Sequence, residues 1–299
     1  MMKRLSAILF MSMLILASCG DDDDDDDDSG PDTGSISLDI SGLEDLGSDF
    51  AYEGWIIVDG SPVSTGVFTV SGTGSDGVLS QTTFDVDEEQ LASATAFVLS
   101  IEPVPDNDPA PAATKLLSGE FSGNSAAITV DEMVGDFSNA GGEFFLRTPT
   151  DETGDNNGND ENGVWFGTPG MPPTATLELP ELGAGWAYEG WVIGESGPIS
   201  TGTFTSVDAV DDSAPFSGTA QSGPPIPGED FFLNAPSGET FPLDVRGRTV
   251  VISVEPVPDN ETAPFAAKPL VGEAGQETAP ATHPFEQNLG TLATGTVTR

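Results

Sequence analysis

Apolar residues recur at every second position through the best-patterned stretches of the chain. Phe97, Leu99 and Ile101 alternate with Val98, Ser100 and Glu102, and Val250, Ile252 and Val254 alternate with Val251, Ser253 and Glu255. A period of two is that of a half-buried β-strand. Glu-Pro closes both runs, because proline has no N–H for the ladder and restricts the residue before it. Around Tyr52 the pattern changes. Tyr52, Ile56 and Val58 fall on one face and Trp55 and Ile57 on the other, so both faces are apolar, as expected of an interior strand covered on two sides. The best helix candidate, Val86 to Ala94, spans one or two turns. With 36 Gly and 24 Pro punctuating short β-rich runs, the pattern predicts an all-β chain built of sandwiches.

The pattern also repeats. Ala51–Phe68 (AYEGWIIVDGSPVSTGVF) matches Ala187–Phe204 (AYEGWVIGESGPISTGTF) without a gap, and the match extends upstream to Leu46 and Leu182. Downstream, Phe97–Glu120 lines up with Val250–Glu273. The spacing between blocks is longer in the second copy, around Ser222–Pro242, as expected of a surface-loop insertion. Two copies at so long a period indicate tandem domains, not a solenoid. Between them, Gly141–Thr150 and Gly163–Pro169 are aromatic strands joined by Asp151–Gly163, a Gly/Asn/Asp segment that reads as the polar tip of a hairpin. The expected organisation is a signal over 1–18, a tether over 19–34, and β-sandwich domains from an internal duplication over 35–168 and 169–299.

Tyr52-x-x-Trp55, then Pro62-Val-Ser-x-Gly66-x-Phe68, then Phe97-x-Leu-x-Ile-Glu102-Pro103 and a proline-rich segment ending near Gly119 resemble the extracytoplasmic C-terminal domain of anti-sigma-K factors. The second copy matches at Tyr188, Trp191, Pro198, Ser200, Gly202, Phe204, Glu255, Pro256 and Gly272. The resemblance implies the fold and an exported location. Anti-sigma-K factors carry a cytoplasmic sigma-binding segment and a membrane helix ahead of this domain, whereas here an export signal leads straight into it; sigma sequestration is therefore not carried over.

The N-terminal segment supplies the address. Lys3 and Arg4 precede an apolar run from Leu5 to Leu16 that is short for a membrane span and reads as an export signal. Leu16-Ala17-Ser18-Cys19 resembles a lipobox, which implies cleavage before Cys19 and its acylation. Cys19 is the only cysteine, so no disulfide framework competes for it. Several acyl chains on one residue would anchor the protein stably. The run Asp21–Asp28 stays solvated by self-repulsion and is similar to the signal that sends Bacteroidetes lipoproteins to the outer face of the outer membrane; periplasmic exposure is the alternative. A formal net charge of −42, from 50 acidic and 8 basic residues, repels nucleic acid and anionic headgroups.

Candidate chemistry is sparse. Lys115 and Lys268, the lysines that remain after the signal, occupy equivalent positions in the copies. Each is expected to form a structural ion pair, with Glu102 and Glu255 as one choice and Glu53 and Glu189 as the other; a catalytic Lys–Glu couple is the competing reading. Tyr52, Trp55 and Phe68, with Tyr188, Trp191 and Phe204, are expected in the core, against the alternative of a sugar-stacking platform on the indoles. The loop Asp151–Glu161 offers oxygen ligands but not the spacing of an EF-hand, and reads as a hairpin tip rather than a calcium site. His283 is the only histidine, and no zinc cluster, P-loop or dinucleotide fingerprint is present. The expectation is a non-catalytic envelope lipoprotein without metal or cofactor, held to the membrane by its lipid and binding an envelope protein or a glycan. The alternatives are an envelope signalling component and a glycan-active enzyme.

Overall fold

The computed structural model describes residues 32–72, 74–152, 158–259 and 261–299. Cys19, the poly-Asp run and the signal lie outside the described residues. Nearly all regular structure is antiparallel β, and no helix among the described residues is long and apolar enough to cross a membrane.

In the first half the strands are β1 (Thr33–Ser41), β2 (Phe50–Val58), β3 (Ser61–Phe68), β4 (Val70–Ser71), β5 (Val78–Leu79), β6 (Thr83–Asp87), β7 (Ala96–Pro103), β8 (Lys115–Glu120) and β9 (Ser125–Thr129). A short helix, α1 (Glu88–Ser93), follows Asp87, whose side chain accepts from Gln90 N and caps it. The hairpin strands come next, β10 (Glu143–Leu146) and β11 (Gly163–Phe166). The second copy supplies β12 (Trp186–Ile193), β13 (Pro198–Phe204), β14 (Gly228–Asp230), β15 (Thr249–Pro256), β16 (Leu270–Glu273), β17 (His283–Pro284) and β18 (Glu286–Gln287), and β19 (Thr294–Thr298) ends the chain.

Three main sheets result. Eight strands run in the order β3-β2-β7-β8-β9-β19-β1-β6, five in the order β13-β12-β15-β16-β18, and four in the order β14-β11-β10-β17. The eight-stranded sheet bends back on itself, since Phe84 on its last strand packs at 6.0 Å from Phe68 on its first. The four-stranded sheet faces the five-stranded one through Phe166, which stacks near Phe204 and Phe285. One contiguous core runs through both halves, from Ile36 to Val297.

The sheets do not follow the boundary at 168/169 expected from the repeat. The hairpin β10–β11 pairs with β14 and β17 and covers the second copy, because Phe166 fills the space left by the missing Cβ of Gly190. The C-terminal β19 returns to the first sheet and sits between β9 and β1, where Val297 is fully buried. The half-buried reading of β7 and β15 also needs correction. Val98, Ser100 and Glu102 are buried along with Phe97, Leu99 and Ile101, and the same holds in β15. Period-two polarity here does not mark a solvated face; it marks hydroxyls and carboxylates that satisfy one another inside.

The repeated motif builds the same local geometry twice. Gly54 pairs with Gly66 and Trp55 with Ser64, so Thr65 is the extra residue of a β-bulge; Gly190, Gly202, Trp191, Ser200 and Thr201 repeat this. The bulge turns Ser64 and Ser200 toward Glu53 and Glu189, whose Oε1 atoms accept their hydroxyls.

Candidate functional site

Trp55 and Trp191 are each 2% exposed, which leaves no indole face for a sugar. Each indole instead starts a buried relay. Trp55 Nε1 donates to Ser100 Oγ (2.8 Å), Ser100 donates to Glu102 Oε1, and Glu102 Oε1 accepts Ala112 N (2.8 Å). In the second copy Trp191 Nε1 donates to Ser253 Oγ (2.8 Å), Ser253 donates to Glu255 Oε1, and Phe265 N donates to the same carboxylate (3.0 Å). Tyr52 and Tyr188 are buried, and their hydroxyls donate to the carbonyls of Glu44 and Pro180, eight residues upstream in each case. Phe68 and Phe204 stack on these rings.

Neither lysine forms the ion pair expected from the sequence. Lys115 Nζ donates to Ala112 O (2.9 Å) and Lys268 Nζ to Phe265 O (2.6 Å). Among the described residues, every ion pair within 4.0 Å uses an arginine. The carboxylates chosen as partners are instead occupied by serine hydroxyls and turn amides. Burial pulls the Lys268 ammonium below its ordinary range, opposed by the charges of Glu44 and Glu255.

Glu44 belongs to the first copy, and its proximity to Lys268 marks the junction of the two. The contact is near-reciprocal: Trp186 Nε1 of the second copy donates to Lys115 O of the first (3.0 Å), while Glu44 of the first lies against Ala266 and Lys268 of the second. The segment ahead of β2 and the start of β12 thus each meet the lysine-bearing segment of the other copy. A cavity of about 380 Å³ opens at this junction. Its lining combines apolar Leu46, Phe50, Ile101, Pro103 and Phe265 with the acidic Glu44, Asp45, Glu255, Asp259 and Glu261. Burial pushes Glu44 up to about 7, with the Lys268 charge pulling the other way.

Glu189, Glu255 and Asp259 converge, with one oxygen of each within 4.8 Å of the others, and Glu255 and Asp259 line the cavity. Burial pushes Glu189 up to about 7 and Glu255 to about 8, against the hydrogen bonds from Ser200 and Ser253. Asp259 is the residue that sequence reasoning missed. The signal was available, since Glu-Pro-Val-Pro-Asp occurs in both copies. The counterpart trio is Glu53, Glu102 and Asp106; there Glu53 is raised by burial and by its two acidic neighbours, and Asp106 is exposed.

A second buried acidic group lies in the insertion, where periodicity gave no clue. Asp230 accepts Thr150 N (2.8 Å), Thr150 Oγ1 (2.5 Å) and Trp165 Nε1 (3.1 Å). Beside it Glu229 accepts from Ser217, and Asp211 accepts Gly228 N (2.9 Å). Burial raises all three, Asp211 to about 7, Glu229 to about 8 and Asp230 to about 6.

The described part of the hairpin tip ties its acids to the fold: Glu152 pairs with Arg147 at 2.7 Å, and Asp160 accepts from Thr148. His283 is buried, with Gly275 N donating to Nδ1 (3.2 Å). Nε2 therefore carries the proton and donates to Glu277 O (3.0 Å). Comparison of the chain with protein-family models, with curated proteins and with solved structures returned no match.

Proposed function

We propose that this chain is a non-catalytic binding module of the cell envelope, tethered through Cys19 at the outer membrane, and that its partner docks in the cavity between the copies. The observation that carries the reading is the make-up of that cavity, a lining of apolar side chains mixed with acidic ones. Such a site favours a segment that offers an apolar side chain next to a basic one, and a net charge of −42 would draw basic partners from a distance. A basic envelope protein fits these terms better than a neutral glycan, because the indoles that would stack on sugar rings are interior. His283 is not free to act as a general base, because its ring nitrogens are both engaged by backbone groups. The resemblance to the anti-sigma-K factor domain supplies an exported setting and no ligand.

A photo-crosslinking residue at Ala113, in the lining of the cavity, and another at Met171, exposed and outside that lining, test the reading in intact cells. The expected outcome is a discrete adduct from position 113 only, weakened by Glu44→Lys. The same adduct from both positions, or none from 113, would refute it.

A further inference from the structure

The geometry points to a divalent cation site, suited to calcium, formed by Glu189, Glu255 and Asp259. Their ligand oxygens lie within 4.8 Å of one another. Calcium bonds oxygen at about 2.3–2.6 Å, so ligand oxygens up to about 5 Å apart can share one ion. All three donors are hard carboxylate oxygens, with no sulfur or imidazole to favour zinc or copper.

An independent observation separates this trio from an ordinary acidic patch. Glu189 is 5% exposed, and its Oε2 is buried with no hydrogen-bond donor. Oε1 of the same residue is held by Ser200, which fixes the carboxylate plane. The Asp259 carboxyl lies against Glu189. A buried carboxylate oxygen that faces other carboxylates and no donor carries a desolvation cost that a cation removes. Glu255, 1% exposed, is oriented from behind by Ser253 and Phe265 N, the outer-shell support that a metal ligand requires. Lys268 does not fill the cation's place, because its ammonium bonds Phe265 O. Among the described residues this is the one acidic group that converges so closely. Asp259 lines the cavity, which gives the ion an open path and room for water ligands.

The site shares Glu255 and Asp259 with the docking cavity. Its test is read on the purified full chain with no partner present, so its outcome does not depend on docking. Calorimetric titration with calcium chloride, with a parallel thermal melt, should show one saturable site with a dissociation constant between about 10⁻⁴ and 10⁻³ M, the range of extracellular modules. Asp259→Asn, a change at a half-buried turn, should weaken it at least tenfold while leaving the calcium-free melt within a few degrees. Glu189→Gln should also weaken it, and Asp106→Asn in the first copy should leave it unchanged. The poly-Asp run is the same in every variant, so its weak ion binding cancels from the comparison. No saturable heat in the wild type would overturn the site. Equal affinity in Asp259→Asn, or equal loss in Asp106→Asn, would overturn the assignment.

Discussion

Glu229 is fully buried, with Oε1 held by Ser217 and Oε2 without a partner. Burial raises it to about 8, against an ordinary value of 4.5. The folded chain therefore holds a proton that the unfolded chain releases. Stability from this group is complete below about pH 4.5 and is lost as pH rises through about 8. Between those limits one proton's linkage is worth about 1.4 kcal/mol per pH unit, so about 2 kcal/mol disappears between pH 5.5 and 7. Glu229→Gln keeps the shape of the protonated acid and an acceptor for Ser217, but cannot ionise. Urea denaturation should find the variant about 1.4 kcal/mol more stable than the wild type at pH 5.5 and about 3.4 kcal/mol more stable at pH 7, a gap that widens by about 2 kcal/mol. Asp211 and Asp230 tilt the wild-type curve in the same direction, and the difference between the proteins isolates Glu229. A stability difference that is the same at both pH values would refute the reasoning.

Three further outcomes follow from the packing. Gly190→Ala would place a Cβ 2.4 Å from the Phe166 ring and should cost about 1–3 kcal/mol by overpacking, whereas Gly290→Ala, with nothing within 4 Å, should leave the melting temperature almost unmoved. Ser253→Ala removes the acceptor of Trp191 and a donor to Glu255, and should cost about 1–3 kcal/mol in denaturant unfolding; Ser100→Ala should cost a similar amount. Ending the chain at Ala293 removes β19 and leaves β9 and β1 each without the strand that pairs with both, so limited proteolysis should then cut the first sheet far faster than in the full chain. Equal cleavage rates would show that β19 does not close that sheet.

Strand positions were legible because alternation and Glu-Pro stops act locally. The capped helix at Asp87 and the hairpin at Phe144 and Phe166 were readable for the same reason. Pairing across distance was not. Nothing in Thr294–Thr298 says that it belongs beside residues 125–129 rather than beside its nearer neighbours, since any short alternating strand fits an open slot between two edges. Ser100, Glu102, Ser253 and Glu255 misled for a different reason. Polar residues at alternate positions predict solvent only when they find no partners inside, and here Trp55 and Trp191 supply them. The lysines misled through charge: in a chain so acidic a carboxylate partner looks inevitable, yet a carbonyl three residues upstream satisfies each ammonium at shorter range.

The repeat explains the fold, and the difference between its copies explains where chemistry concentrates. Bulge, tyrosine hydroxyl and Trp–Ser–Glu relay are the same in both halves, so none of them selects a site. The copies part at one aspartate. Asp106 is exposed, whereas Asp259 is half-buried beside Glu189 and Glu255. The second turn, from Pro256 to Asp259, lines the inter-copy cavity opposite Glu44 to Phe50, to which the first turn contributes Pro103. Two identical turns thus meet different neighbours, because a cavity at a near-reciprocal junction need not be shared equally by its halves. On this argument, transplanting the first turn's environment should disperse the second trio. Trp186→Phe, which gives the second copy the residue at the equivalent position of the first and breaks the bond to Lys115 O, should weaken calcium binding without touching a ligand. An unchanged affinity in that variant would place the cause of the asymmetry in the turn itself rather than at the junction.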